Sequence, residues 1–268
     1  MTVGKRARSC RSAMAGSLIV LAVSACYAED PPAVRDAISV PGDARAVSTL
    51  RKGDQVLRHA VFFKFKVESS EAEVKRVVDA FRGLPAAIDV VTDFEWGTNN
   101  SPENLNDEFT HCFLLSFHDE AGRARYLPHE AHQAFVAVLR PHLEKVFVCD
   151  YWGTQSQQQL KKELKHAVFF KFKDGASSAE VKRVEKAFAG LPAKIGAIRH
   201  FEWGRNNSPE KHDDGFTHCF MVSFDSVAGR RVYLPHPDHQ DFVELLMPVL
   251  DKARVLDFWV HDAAQEGP

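Results

Sequence analysis

The sequence predicts an α+β protein made of two tandem ferredoxin-like (βαββαβ) domains that close on each other as an intramolecular, pseudo-dimeric α+β barrel. Three observations lead there. Residues 59–152 align with 166–259 at a constant offset of 107 without a gap, and about 57 of the 94 pairs are identical, so one unit occurs twice. Within each copy the pattern runs β-α-β-β-α-β over about 95 residues, the ferredoxin-like order. Such a unit covers one face of its sheet with helices and leaves the other bare, and the second copy is the natural cover.

Each copy opens with "HAVFFKFK" (59–66 and 166–173), whose alternation suits a half-buried strand. A helix follows, begun by a capping box (Ser70 with Glu73, Ser177 with Glu180) and ended by "GLP" at 83–85 and 190–192, glycine past the last turn and proline beyond it. Next come a strand ending in "FEWG", a loop carrying "NNSPE", and the strand "FTHCFLLSF" or "FTHCFMVSF". "YLPH" then leads into an amphipathic helix with Phe135, Leu139 and Leu143, or Phe242, Leu246 and Leu250, on one face. A last strand, "VFVCDYW" or "RVLDFW", closes the unit. Trp96 and Trp203 read as core or barrel-rim aromatics, and His111 and His218, inside apolar strands, as buried and hydrogen-bonded.

Outside the repeats, Lys5, Arg6, Arg8 and Arg11 precede an apolar run from Ala13 to Ala25, the layout of a signal peptide over 1–25. The run is too short to span a bilayer comfortably. "VSA" before Cys26 has the form of a bacterial lipobox, which would make Cys26 the lipid-modified first residue of the mature chain; ordinary cleavage near Ala25 or Ala28 is the competing reading. Residues 26–58 suit a tether, 153–165 a linker and 260–268 a tail. Either processing places the protein outside the cytoplasm, in the periplasm or held at a membrane by its lipid alone.

Losing the four basic leader residues takes the formal charge from −2 to about −6. An acidic body excludes nucleic acid as the expected partner. Of five cysteines, Cys112, Cys149 and Cys219 fall in the body, and an odd number in apolar strands reads as buried free thiols. Pairing within one chain predicts a monomer.

The stretches "YLPHEAH" (126–132) and "YLPHPDH" (233–239) carry the candidate chemistry. Pro128 starts a new helix and leaves Tyr126 on the entering segment, where it can meet His132. His129 and His132 are three apart and are expected to share a helix face. A helix N-terminus disfavours imidazolium, so the histidine stays neutral and able to accept a proton, while a tyrosine hydroxyl can donate to a carbonyl oxygen as it gains charge. Proton abstraction beside a carbonyl, as in aldol closure, needs no cofactor. Two alternatives stay open: a non-catalytic binding or stress-response module whose barrel is structural, and a metal site fed by four histidines per copy.

The combination of "HAVFFKFK", "WG", "FTHCF" and "YLPHxxH" in both copies resembles the stress-responsive dimeric A/B-barrel domains, whose single domains dimerise through their sheets; this chain resembles a fused pair. The likeness implies a stress-response role and a small apolar or carbonyl-bearing ligand, held in the barrel interior or beneath the helices. A plant polyketide cyclase of that family uses a histidine base, an assisting tyrosine and a first-strand histidine. Matched by motif, these fall on His132, Tyr126 and His59, and on His239, Tyr233 and His166. Where the cyclase carries a further tyrosine on its first helix, this chain has Val77 and Val184.

Overall fold

The computed structural model describes residues 55–154, 160 and 162–262. The leader, Cys26, the tether up to residue 54, linker residues 155–159 and 161, and the tail from 263 lie outside them. No helix among the described residues is long and apolar enough to cross a membrane.

The first repeat runs β1 (Gln55–Phe65), α1 (Glu71–Arg82), a short α2 (Leu84–Ala87), β2 (Asp93–Thr98), β3 (His111–Phe117), α3 (Glu120–Tyr126), α4 (Glu130–Leu139) and β4 (Leu143–Thr154). The second repeats it: β5 (Leu164–Phe172), α5 (Ser178–Ala189), a 3-10 turn at Leu191–Ala193, β6 (His200–Arg205), β7 (His218–Phe224), α6 (Val227–Tyr233), α7 (Pro237–Leu246) and β8 (Leu250–Trp259), followed by β9 (His261–Asp262). Both capping boxes form, with Ser70 and Ser177 each accepting from the backbone of the glutamate three residues on.

The sheets are antiparallel, ordered β4-β1-β3-β2-β9 and β6-β7-β5-β8, so each repeat has the two central strands and two edges of a ferredoxin-like unit. The strand boundaries exceed the sequence expectation at two places. Gln55–Arg58, expected in the tether, continue β1 because they pair with Tyr151–Thr154 of β4. His261 and Asp262, expected in the tail, pair with Trp96 and Glu95, covering an edge of β2 that would otherwise present unpaired backbone groups.

Alternation along the strands divides the core into three layers. Leu57, Val61 and Phe63 face the helices of their own repeat, and Leu164, Val168 and Phe170 do the same in the second. Ala60, Phe62, Phe147, Cys149, Phe169 and Cys219 face inward, where the two sheets meet. The interior is filled: Phe62, Phe147 and Phe169 are at most 1% exposed and contact one another edge-on or stacked. A ligand in the barrel interior is therefore not what this core is built for, and the expected site reduces to the space beneath the helices. Cys112, Cys149 and Cys219 are buried free thiols, as the strand positions imply.

Copy one's Phe147 is matched by Arg254, whose guanidinium lies 4.3 Å from the Phe147 ring and 4.6 Å from that of Phe216. Asp107 at 2.6 Å and Asp214 at 2.8 Å neutralise it. A charge inside an aromatic barrel is tolerated because it is stacked and doubly paired.

The seams where the sheets meet explain the glycine of "FEWG". A Cβ on Gly204 would stand 2.8 Å from Tyr151 Cβ and 3.1 Å from the Trp152 carbonyl oxygen, closer than carbon atoms approach. Arg58 reaches across to Glu202 at 3.0 Å, and Glu202 also accepts from the Tyr151 hydroxyl at 2.8 Å. The pseudo-equivalent pair is Lys165 with Glu95. These buried ions bind one repeat to the other.

Candidate active site

On the helix-facing side of β1, His59 is the polar member of an apolar row, and directly across the ladder on β4 stands Asp150. His59 Nδ1 lies 2.7 Å from Asp150 Oδ1. The other carboxylate oxygen accepts from Arg123 Nη1 of α3, also at 2.7 Å. Asp150 is fully buried and His59 nearly so. Burial opposes charge on His59, and the Asp150 carboxylate beside it outweighs burial, so the imidazolium is held above its ordinary range. Burial likewise opposes the Asp150 charge, and His59 and Arg123 together keep its carboxyl below the usual range.

Tyr126 ends α3, Pro128 sits between α3 and α4, and His129 caps α4. The break lies where "LP" predicts one, but Tyr126 is helical rather than on an extended entry. His129 is outside the helix, in extended backbone, and its Nδ1 accepts from the Ala131 N–H. The expectation that His129 and His132 share a helix face is thus overturned: the histidine is used as the cap, because an exposed N–H of the first turn needs an acceptor.

His132 Nδ1 donates to the Leu127 carbonyl at 2.8 Å. A carbonyl can only accept, so the proton sits on Nδ1 and Nε2 carries the lone pair. Burial holds His132 below its ordinary range, which keeps it a neutral base; desolvation, more than the helix end, is the cause. The Tyr126 and His132 rings are 4.5 Å apart and the Tyr126 and His59 rings 5.8 Å. Tyr126 is fully buried, and its hydroxyl has no hydrogen-bond partner among the described residues. An unpaired buried hydroxyl costs about 1–3 kcal/mol. The position suits a donor kept for something that arrives.

The second repeat reproduces this. His166 Nδ1 meets Asp257 at 2.7 Å, Arg230 holds the other oxygen at 2.6 Å, and His239 Nδ1 donates to Leu234 at 2.9 Å. Burial pushes His239 down to about 4. The Tyr233 hydroxyl is buried and unpartnered, 4.3 Å ring to ring from His239.

All six residues singled out from the sequence are therefore brought together, three per repeat. Asp150, Arg123, Asp257 and Arg230 were missed. For the aspartates the signal was present: a charged residue in the middle of an apolar closing strand, kept in both copies. The "NNSPE" loops were also left without a role, and each reaches the other repeat. Asn206 Oδ1 accepts from the Asp150 N–H at 3.0 Å, and the Asn207 N–H donates to the Asp150 carbonyl at 2.8 Å. Arg123 donates to Asn207 Oδ1 at 2.7 Å. Glu210 Oε2 ends 3.8 Å from His59 Nε2. In the mirror arrangement Asn99 and Asn100 hold Asp257 and Arg230, and Glu103 Oε2 lies 3.7 Å from His166 Nδ1.

The four histidines of a repeat do not converge on a metal site. His111 bonds to Thr110 and sits edge-on to Phe65, with burial pushing it down to about 4. His218 pairs with Glu185 at 2.9 Å. Among the described residues the groupings able to hold a cation are His59, Asp150 and Glu210, and Glu103, His166 and Asp257. Val77 and Val184 are buried core, and Trp96 packs on Phe113 beneath the helices and donates to the Asp262 carbonyl.

Two ferredoxin-like units sheet to sheet, each with a histidine–aspartate–arginine chain and a tyrosine–histidine pair under its helices, define the class. The chain belongs to the stress responsive A/B barrel domain family, whose model matches residues 57–153 and 164–260. It is 33% identical over 101 residues to the stress-response A/B barrel domain-containing protein HS1 of Arabidopsis thaliana, covering 38% of this chain and 93% of that one. It is 28% identical over 95 residues to olivetolic acid cyclase of Cannabis sativa, covering 35% of this chain and 94% of the cyclase. A solved anthrone oxidase-like protein superposes with a TM-score of 0.58 at 11% identity, covering 81% of this chain and 97% of that one, a likeness of fold.

Proposed function

We propose that this is an exported stress-response protein that binds a small apolar, carbonyl-bearing molecule beneath the helices of each repeat and abstracts a proton beside the carbonyl. The observation that carries the reading is the divergence of two histidines around one tyrosine. Paired titratable groups pushed in opposite directions suit opposite roles. Asp150 favours the imidazolium of His59, which can donate from Nε2; burial favours the neutral form of His132, with its lone pair on Nε2. A carbonyl oxygen receiving bonds from the Tyr126 hydroxyl and His59 would be stabilised as enolate while His132 takes the α-proton. No cofactor enters this scheme. The similarity to a named cyclase supports it. Export, and lipid attachment at Cys26, rest on the leader sequence, and mass spectrometry of the mature N-terminus tests them: an unmodified residue other than Cys26 refutes the anchor.

The reading is tested by metabolite capture and by α-hydrogen exchange of 4-phenylbutan-2-one in D2O, with wild type and His132→Ala, His239→Ala. Loss of both signals in the double variant is expected; identical capture profiles and exchange rates end the proposal. A binding module without turnover is the second reading, favoured by the complete burial of Tyr126 and Tyr233. Capture without exchange selects it.

A further inference from the structure

We propose that Glu210 and Glu103 are ligand-binding residues delivered in trans, each completing the site of the other repeat by accepting a hydrogen bond from a hydroxyl that the ligand carries beside its carbonyl. The proposal rests on the binding site proposed above and adds the ligand's second polar group and the crossing of the repeats.

The chain position of these glutamates is set with care. "NNSPE" spends both asparagines on the opposite repeat's aspartate and arginine, through side chain and backbone. Three residues beyond the second asparagine, the glutamate arrives at the opposite histidine without bonding it: 3.8 Å for Glu210 and 3.7 Å for Glu103. Glu210 Oε2 and Glu103 Oε2 are buried oxygen atoms with no hydrogen-bond partner among the described residues. The Tyr126 and Tyr233 hydroxyls beside the same histidines share that condition on residues 0% exposed. Each site thus holds a glutamate oxygen that can accept and a phenol that can donate, both unused. A carbonyl alone would satisfy the phenol and strand the carboxylate. A hydroxyl next to the carbonyl satisfies both.

A divalent cation is the other occupant that a histidine and two carboxylates could take. The Asp150 oxygens are already committed, one to His59 and one to the Arg123 guanidinium at 2.7 Å, and Asp257 is held the same way by His166 and Arg230. A cation would have to displace the histidine and sit beside a fixed positive charge, so the chemistry favours a neutral hydroxyl.

Calorimetric titration of the full chain with two probes, 3-hydroxy-4-phenylbutan-2-one and its deoxy counterpart 4-phenylbutan-2-one, tests this. Wild type is expected to prefer the hydroxyketone roughly tenfold or more, the scale of a hydrogen bond to a charged acceptor. Glu103→Gln, Glu210→Gln should reduce the preference to near one while the thermal midpoint holds; Glu→Asp at both sites, which keeps the charge, should restore part of it. In a His166→Ala background, where only the first-repeat pocket remains, Glu210→Gln should remove the preference. Its removal by Glu103→Gln instead overturns the crossed assignment. A preference that survives the double Gln variant, or equal affinity of wild type for both ketones or for neither, overturns the proposal. If His132→Ala, His239→Ala still abolishes ketone exchange in that event, the pocket stands and only the glutamates' role falls. Stoichiometric uptake of Mn2+ alone, lost in the Gln variants, overturns it in favour of a cation site.

Discussion

Asp150→Asn isolates what the buried chain of charges contributes. The change removes the one anion between two buried cations, leaving Arg123 at 7% and His59 at 2% exposure with no carboxylate between them. Breaking a buried pair by deleting one partner costs about 3–5 kcal/mol. At about 2–4 °C per kcal/mol for a body of this size, the thermal midpoint should fall by about 6–20 °C. The pH dependence should also shift, through the His59 contribution. In the wild type, His59 is held above its ordinary 6.5, so its stabilisation is complete below 6.5 and is lost as pH rises through the folded value. Asp150 is held below its ordinary 3.8, so its share is complete above 3.8 and is lost as pH falls through the folded value. The pair is therefore worth most between about pH 4 and 6.5. With asparagine at 150, burial and the Arg123 charge disfavour the His59 imidazolium, with the more distant Glu210 opposing them. Relative to the wild type, which gains the His59 contribution on going from pH 8 to pH 5, the variant should lose stability over that range. Thermal unfolding followed by circular dichroism at the two pH values measures both effects. A drop of less than about 2 °C, or the same slope with pH in both proteins, refutes the assignment of Asp150 as the group that charges His59.

Tyr126→Phe removes a buried hydroxyl that lacks a partner, so the unliganded protein should become more stable by roughly 1 kcal/mol while ketone exchange at that site falls; denaturant titration and NMR check the two halves. Gly204→Ala forces a methyl to within 2.8 Å of Tyr151 Cβ and should destabilise by about 1–3 kcal/mol through overpacking at the seam, visible as a lower urea midpoint. In a His132→Ala background the remaining exchange depends on His239, which burial brings down to about 4. That activity should hold from pH 7 down to about pH 5 and then decline toward pH 4, as the base is protonated.

The architecture was legible in the sequence because it rests on local signals that repeat. A period-two strand, a capping box and a "GLP" stop occur twice at one spacing, and a sheet with helices on one face requires a cover. The tyrosine and histidines of "YLPHxxH" were legible for the same reason: proline breaks the helix and lets Tyr126 and His132 meet across the break. What "HAVFFKFK" could not show is that His59 stands opposite Asp150, since strand register is a property of the assembled ladder. Nor could the loop "NNSPE" reveal its target, which is 50 residues or more away in the chain and in the other repeat. The sequence by itself determined the repeated unit, its elements and the tyrosine and histidines that the fold brings together. Only the tertiary structure decided that the barrel interior is filled with aromatic side chains, that two neighbouring histidines are pushed in opposite directions, and that a loop of the opposite repeat reaches each histidine–aspartate pair. Charge state and proximity depend on burial and on groups distant in the chain, and those exist only once the sheets have closed.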